Sequence, residues 1–137
     1  MDNLNRFVSA QEHSYAQALS EIKAGRKYSH WIWYIFPQLK GLGRSENSHY
    51  YGLDSLAEAA AYLAHPVLGA RLREITLALF EHSGKNPSDI LGGIDATKVR
   101  SSMTLFDKVC PGDIFARVLD EFYYGRRCNR TLRMIAG

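Results

Sequence analysis

Gly25-Arg26-Lys27-Tyr28-Ser29-His30-Trp31-Ile32-Trp33-Tyr34-Ile35-Phe36-Pro37-Gln38 is the stretch whose reading decides the fold. Its centre, Trp31 to Phe36, is rich enough in β-branched and aromatic residues to suit a strand. As a helix it starts at a Ser29 cap and stops before Pro37, because the residue preceding a proline is pushed out of the α region. No second strand-like run exists to pair with it, so the helix reading prevails and the chain is predicted to be all-α.

Upstream, Leu4, Phe7, Val8, Gln11, Tyr15, Leu19 and Ile22 recur at helical spacing and predict a first helix from about Asn3 to Ala24. Asp2 or Asn3 can cap it, and Gly25 can end it in the left-handed conformation. Downstream, Gln38 to Asn47 has turn composition, with Gly41 and Gly43, and reads as a loop over the aromatic segment. Asp54 is the expected cap of a helix through Ala64, and His65-Pro66 begins another carrying Leu68, Leu72, Ile75 and Leu79. Asn86-Pro87 starts a short helix ending near Gly92-Gly93, and Asp95 is the expected cap of a longer one through Cys110. After a Pro111-Gly112 turn, Asp113 caps a helix closed by Gly125, and Asn129 starts a final short one. The expectation is a compact single-domain bundle of six to seven helices over residues 1–137, with no repeat, low-complexity tract or linker.

Composition supports a globular protein: 137 residues, 46% hydrophobic, 12% aromatic and 4 prolines. Seventeen basic against 14 acidic side chains give +3, too mild a field for a dedicated nucleic-acid binder. Cys110 and Cys128 lack metal-ligand spacing and read as reduced packing residues. His13, His49, His65 and His82 have no ligand-type partner one helical turn away, so no metal or cofactor is expected. The absence of a secretory signal and of an apolar run near membrane length predicts a cytoplasmic protein.

Chemistry is predicted at two segments. With Ser29 as cap, the free amides of the aromatic helix, together with Arg26, Lys27 and His30, form a positive end suited to a phosphate or carboxylate. Trp31 and Trp33 are either core or a stacking surface. His30 is the best acid or base candidate, against the plainer reading of a half-buried histidine bonded to a carbonyl. In the second segment, Asp95 to Phe106, helical spacing puts Lys98, Ser101 and Ser102 on a polar stripe opposite Val99, Met103 and Phe106. Arg44, in a Gly41-Leu42-Gly43-Arg44-Ser45 loop that lacks a nucleotide fingerprint, can hold a phosphate or carboxylate bidentately. Arg126, Arg127, Arg130 and Arg133 crowd the end of the chain and read as solvated or paired with Asp120 and Glu121 rather than as a phosphate-backbone contact.

Arg6-Phe7 with Ala10-Gln11, the Gly25–Gln38 segment, Gly41 to Ser45, Glu58-Ala59 with Tyr62 to Pro66, Arg71-Leu72, and Lys98 with Ser101 to Phe106 together resemble the bacterial domain of unknown function 1810 family. The resemblance covers nearly the whole chain, leaving the C-terminal arginines outside it. It implies a small, mainly helical single-domain protein and carries over no catalytic residue. Members are often labelled calpastatin-like, which implies a protease inhibitor. Calpastatins are disordered repeat proteins, and this compact, repeat-free composition gives the label no physical support.

The resulting expectation is a pocket lined by Lys27, His30, Trp31, Trp33, Arg44, Lys98 and Ser102. It would hold a small anionic molecule of the nucleotide or phosphorylated-metabolite class, with His30 as acid or base if there is catalysis. The alternative is a non-catalytic interaction module that engages a protein or nucleic acid through a helix face or the arginine segment.

Overall fold

A computed structural model describes residues 4–137. Its helices are α1 (Asn5–Glu12), α2 (Tyr15–Ala24), α3 (Ile32–Ile35), α4 (Glu46–Tyr50), α5 (Leu56–Ala64), α6 (Leu68–Leu79), α7 (Pro87–Leu91), α8 (Gly93–Val109), α9 (Ile114–Tyr123) and α10 (Asn129–Ala136), with a 3₁₀ turn at Phe80–His82. Among the described residues there is no strand, only a single parallel bridge between Leu39 and Leu53. The all-helical expectation holds. Ten helices are described against the six or seven expected: the eight helical segments marked in the sequence are all present, one of them broken in two, and α4 begins at the end of the Gln38–Asn47 stretch read as loop.

The break falls at His13-Ser14, where the Ser14 amide closes a turn on the Gln11 carbonyl at 3.2 Å. Tertiary contacts override the local period here. Gln11 is buried and donates to the Tyr34 carbonyl (2.7 Å) and the Tyr62 hydroxyl (3.0 Å), while the Tyr34 hydroxyl donates to Ser14 Oγ (3.0 Å). The bend lets α1 pack on α3 while α2 packs on α6. Gly25 does end α2 with φ of 82°, the left-handed geometry that glycine adopts without a Cβ penalty. The caps expected at Asp2 or Asn3 lie outside the described residues.

Two other expected caps are corrected. Ser55, not Asp54, caps α5: its hydroxyl accepts from the Glu58 amide, while Glu58 Oε1 accepts from the amide of Asp54, the residue before the cap. Asp54 instead pairs with Lys40 at 2.8 Å. The long helix α8 begins at Gly93, which leaves Asp95 in its first turn, where a carboxylate still complements the helix dipole. Asn86 and Asp113 cap as expected.

Helix α8 is the axis of the molecule. Ser101 to Asp107 are all buried, as befits a helix enclosed on every side, and α3, α5, α7, α9 and α10 pack around it. Trp31, Phe36, Tyr62, Phe106 and Phe115 fill the core between them. Close approach at the α5–α6 corner requires Gly69, where a Cβ would stand 2.0 Å from the Leu63 carbonyl oxygen. No helix among the described residues is long and apolar enough to cross a membrane.

Candidate functional site

The aromatic segment is an anion site that the protein fills itself. Glu21, on α2, places Oε1 where it accepts from the Tyr28 amide (2.7 Å), the Ser29 amide (2.9 Å) and Trp31 Nε1 (3.0 Å); Oε2 accepts from Ser29 Oγ (2.6 Å). Burial works against the Glu21 carboxylate, but hydrogen bonds from Ser29, Tyr28 and Trp31 outweigh it and hold its pKa near about 2. Ser29 therefore does not cap α3, whose N-cap is Trp31 without a side-chain hydrogen bond. The donors that hold this carboxylate are the Tyr28 and Ser29 amides, the Ser29 hydroxyl and the Trp31 indole, rather than the cations and helix-end amides expected to meet an external anion.

Lys27 is likewise engaged. Its ammonium pairs with Asp95 at 2.8 Å, donates to the Ser29 carbonyl and lies 4.9 Å from the Trp31 ring centroid. Trp31 is core, 1% exposed. The two predicted segments thus meet in space, joined by Lys27–Asp95 and by Lys98, whose Nζ lies 5.3 Å from the Trp33 centroid.

From Lys98 outward the surface opens into a cleft of about 770 Å³ between the first half of α8, the Arg126–Asn129 connection, α10 and the Gln38–Gly43 loop. Six cationic side chains line it: Lys98 and Arg100 from α8, Arg126 and Arg127 from the connection, Arg130 and Arg133 from α10. Among the described residues, no carboxylate is in the lining. With six of the chain's 17 basic side chains gathered here, the remaining 11 are outnumbered by 14 acidic ones, so a small net charge hides a strongly polarised surface.

Helical periodicity and a turn create this arrangement. Arg130 and Arg133 are three residues apart, hence on one face of α10. Arg127 is steered by a bond to the Gly125 carbonyl (3.0 Å) and by Asp107 (3.4 Å), and Arg130 reaches the Gly41 and Leu42 carbonyls at 3.4 Å. The Cys128 amide donates to Thr104 Oγ1 (3.0 Å), fixing the connection to α8. Arg100 Nε is buried without a hydrogen-bond partner. Leu42 and the 77%-exposed Ile94 give the cleft an apolar flank.

Of the seven residues assigned to one pocket by sequence, Lys98 lines this cleft. Trp33 stands behind Lys98 in a narrow slit shared with Gln38, and its Nε1 is buried without a partner. Ser102 is fully buried, its hydroxyl also unpartnered, and does not line the cleft. Arg44 is exposed on a separate open groove with His49 and Tyr50. His30 is exposed and lies outside the cleft, because the loop it ends is folded around Glu21. Arg126, Arg127, Arg130 and Arg133, read as solvated or as partners of Asp120 and Glu121, line the cleft together; their clustering in sequence was the signal available. Among the described residues, no group of three or more His, Cys, Asp or Glu gathers as metal ligands would.

A family model described as protein of unknown function, DUF1810, matches residues 1–135. The chain belongs to the DUF1810 family. Its fold is similar to the crystal structure of the conserved hypothetical protein Rv1873 from Mycobacterium tuberculosis, with 42% identity, a TM-score of 0.96, and coverage of 99% of this chain and 98% of that one. No curated protein matches the chain.

Proposed function

We propose that this DUF1810 protein binds a small phosphorylated ligand, of the nucleotide or phosphorylated-metabolite class, in the arginine-lined cleft. The observation that carries this reading is the convergence of six cationic side chains on one concavity whose lining, among the described residues, holds no carboxylate. Cations at such proximity repel one another, Asp107 offsetting Arg127 at 3.4 Å, and an anion with several oxygens relieves that repulsion while accepting charge-assisted hydrogen bonds. A volume of about 770 Å³ is of the size that holds a drug-like or nucleotide-sized molecule. Arginines would hold the phosphates, and the Leu42–Ile94 flank offers an apolar surface to a base or other flat group. His30 has no part in this reading.

The test is a thermal-shift and calorimetric panel of pyrophosphate, nucleoside di- and triphosphates, dinucleotides, sugar phosphates and a short single-stranded oligonucleotide. A ligand at about 100 times its Kd adds roughly 2.7 kcal/mol, which raises Tm by several degrees in a domain of this size. The expected response is lost in Lys98→Ala and Arg133→Ala and kept in His30→Ala. A response confined to the oligonucleotide, with a steep salt dependence, would transfer the site to the competing nucleic-acid reading. Silence across the panel at low salt would remove both.

A further inference from the structure

The concave surface does not end at the arginine cleft. Gly43, which lines the cleft, also lines an open groove of about 550 Å³ whose further walls include Arg44, Glu46, His49 and Tyr50. We propose that this groove is a second subsite and that the ligand is a dinucleotide. Its phosphates lie on the cleft arginines, one base lies on the Leu42–Ile94 flank, and the second nucleoside lies over Tyr50 and Arg44. The proposal deepens the anion-binding reading and rests on it.

The junction is open backbone. Gly43 packs so closely on α4 that a Cβ there would strike Ser48 Oγ, so cleft and groove adjoin at a residue that carries no side chain. The cleft alone, at about 770 Å³, lies within the range of about 300–1,000 Å³ that encloses one drug-sized molecule, and cleft and groove together exceed it. A ligand with one nucleoside leaves the groove empty, whereas a ligand with two reaches both.

The two concavities divide the chemistry between them. The cleft gathers cations and suits phosphates, but Arg44 and Glu46 in the groove are opposite in sign, so the groove has no comparable preference for an anion. What it offers is flat surface and hydrogen bonding. Tyr50 is 57% exposed, and Arg44 is exposed and forms no ion pair with the described residues. The Tyr50 ring is nevertheless braced: it meets Tyr51 edge-on, with centroids 4.8 Å apart and planes at 84°, and the Tyr50 carbonyl accepts from the buried Arg6 at 2.9 Å. A ring anchored in this way stacks a base with little further loss of freedom. The planar Arg44 guanidinium stacks on aromatic rings too, and the Glu46 carboxylate accepts from ribose hydroxyls or an exocyclic amino group.

The test is calorimetric titration of the full chain with diadenosine tetraphosphate and with ATP, in the absence of divalent metal. These ligands have similar charge and differ in the second adenosine. Diadenosine tetraphosphate is expected to bind about 10-fold more tightly, the scale of one stacked base. Tyr50→Ala and Arg44→Ala should each remove most of that advantage and leave ATP affinity unchanged, while Tyr50→Phe, which retains the ring, should retain the advantage. Alanine at 50 keeps the main-chain carbonyl that Arg6 holds, and Arg44→Ala removes an exposed side chain, so both variants are expected to fold. Arg133→Ala should weaken both ligands alike. ATP binding with diadenosine tetraphosphate no tighter overturns the second subsite and leaves the cleft reading standing, as does an advantage that survives both alanine variants. Binding of pyrophosphate with neither nucleotide bound has the same meaning. Silence to all three removes the cleft reading together with the subsite.

Discussion

Replacing Glu21 by alanine is expected to lower the unfolding free energy by about 3 kcal/mol at neutral pH. The substitution strands two backbone amides, the Ser29 hydroxyl and Trp31 Nε1, all of which now converge on one carboxylate. A buried donor left without an acceptor costs about 1–3 kcal/mol, partly recovered where water can enter near the exposed Tyr28. The charge has its own signature in pH. Because the folded pKa is depressed to about 2 from an ordinary 4.5, the carboxylate's contribution is fully present above about pH 5 and is lost as pH falls through 2. Each unit of difference corresponds to about 1.4 kcal/mol, so the acid limb should amount to about 3 kcal/mol. Urea unfolding of the wild type and Glu21→Gln between pH 2 and pH 7 checks this. The glutamine variant should be less stable at pH 7 and converge on the wild type towards pH 2; parallel curves would rule out Glu21 as the group responsible.

The Glu21 site also shows how far the sequence could be read. Aromatics, cations and turn residues between Gly25 and Gln38 suggested a place for an external anion, whereas the donors there, two amides, a hydroxyl and an indole, hold a carboxylate of the same chain. What residue order could not reveal was that Glu21, at the end of the preceding helix, already occupies it, since that depends on the Gly25 turn folding the chain back on α2. The helical periods of α5 to α10 were legible because each has an apolar face and a capping or turn residue at its boundary. The bend between α1 and α2 was not, because Gln11 and Ser14 break a continuous period to satisfy Tyr34 and Tyr62, partners 20 to 51 residues away. At the cleft, Lys98 could be singled out by its stripe on α8. The arginines could be seen as a cluster but not placed, because their convergence arises from α10 folding against α8, where no acidic side chain joins the lining among the described residues.

Replacing Arg6 by methionine should be the more damaging change, at about 4 kcal/mol, although it lies far from the cleft in sequence. Its guanidinium is buried on α1 and donates from Nε to the Tyr50 carbonyl (2.9 Å) and from Nη2 to the Gly52 carbonyl (3.0 Å), with Glu58 at 3.4 Å. Methionine keeps much of the volume but leaves two carbonyls and a half-buried carboxylate without their cation, the situation in which removing one partner of a buried pair costs about 3–5 kcal/mol. The consequence reaches the site through backbone. Leu53, beside Gly52, donates to the Gln38 carbonyl, and its own carbonyl accepts from Lys40, both at 2.9 Å, so the segment Arg6 holds is the one that anchors the Gln38–Gly43 wall of the cleft. Glu58→Gln should cost less, since the bond its side chain accepts from the Asp54 amide survives on the amide oxygen, and Arg6→Met/Glu58→Gln should cost less than the two changes summed by about 1 kcal/mol or more. Equilibrium unfolding of the four proteins measures that coupling, and strict additivity would show that Arg6 acts independently of Glu58. Phosphate-ligand titration of Arg6→Met at a temperature where it remains folded should show weakened affinity with Lys98 and every cleft arginine intact, because the wall they face is no longer held in place.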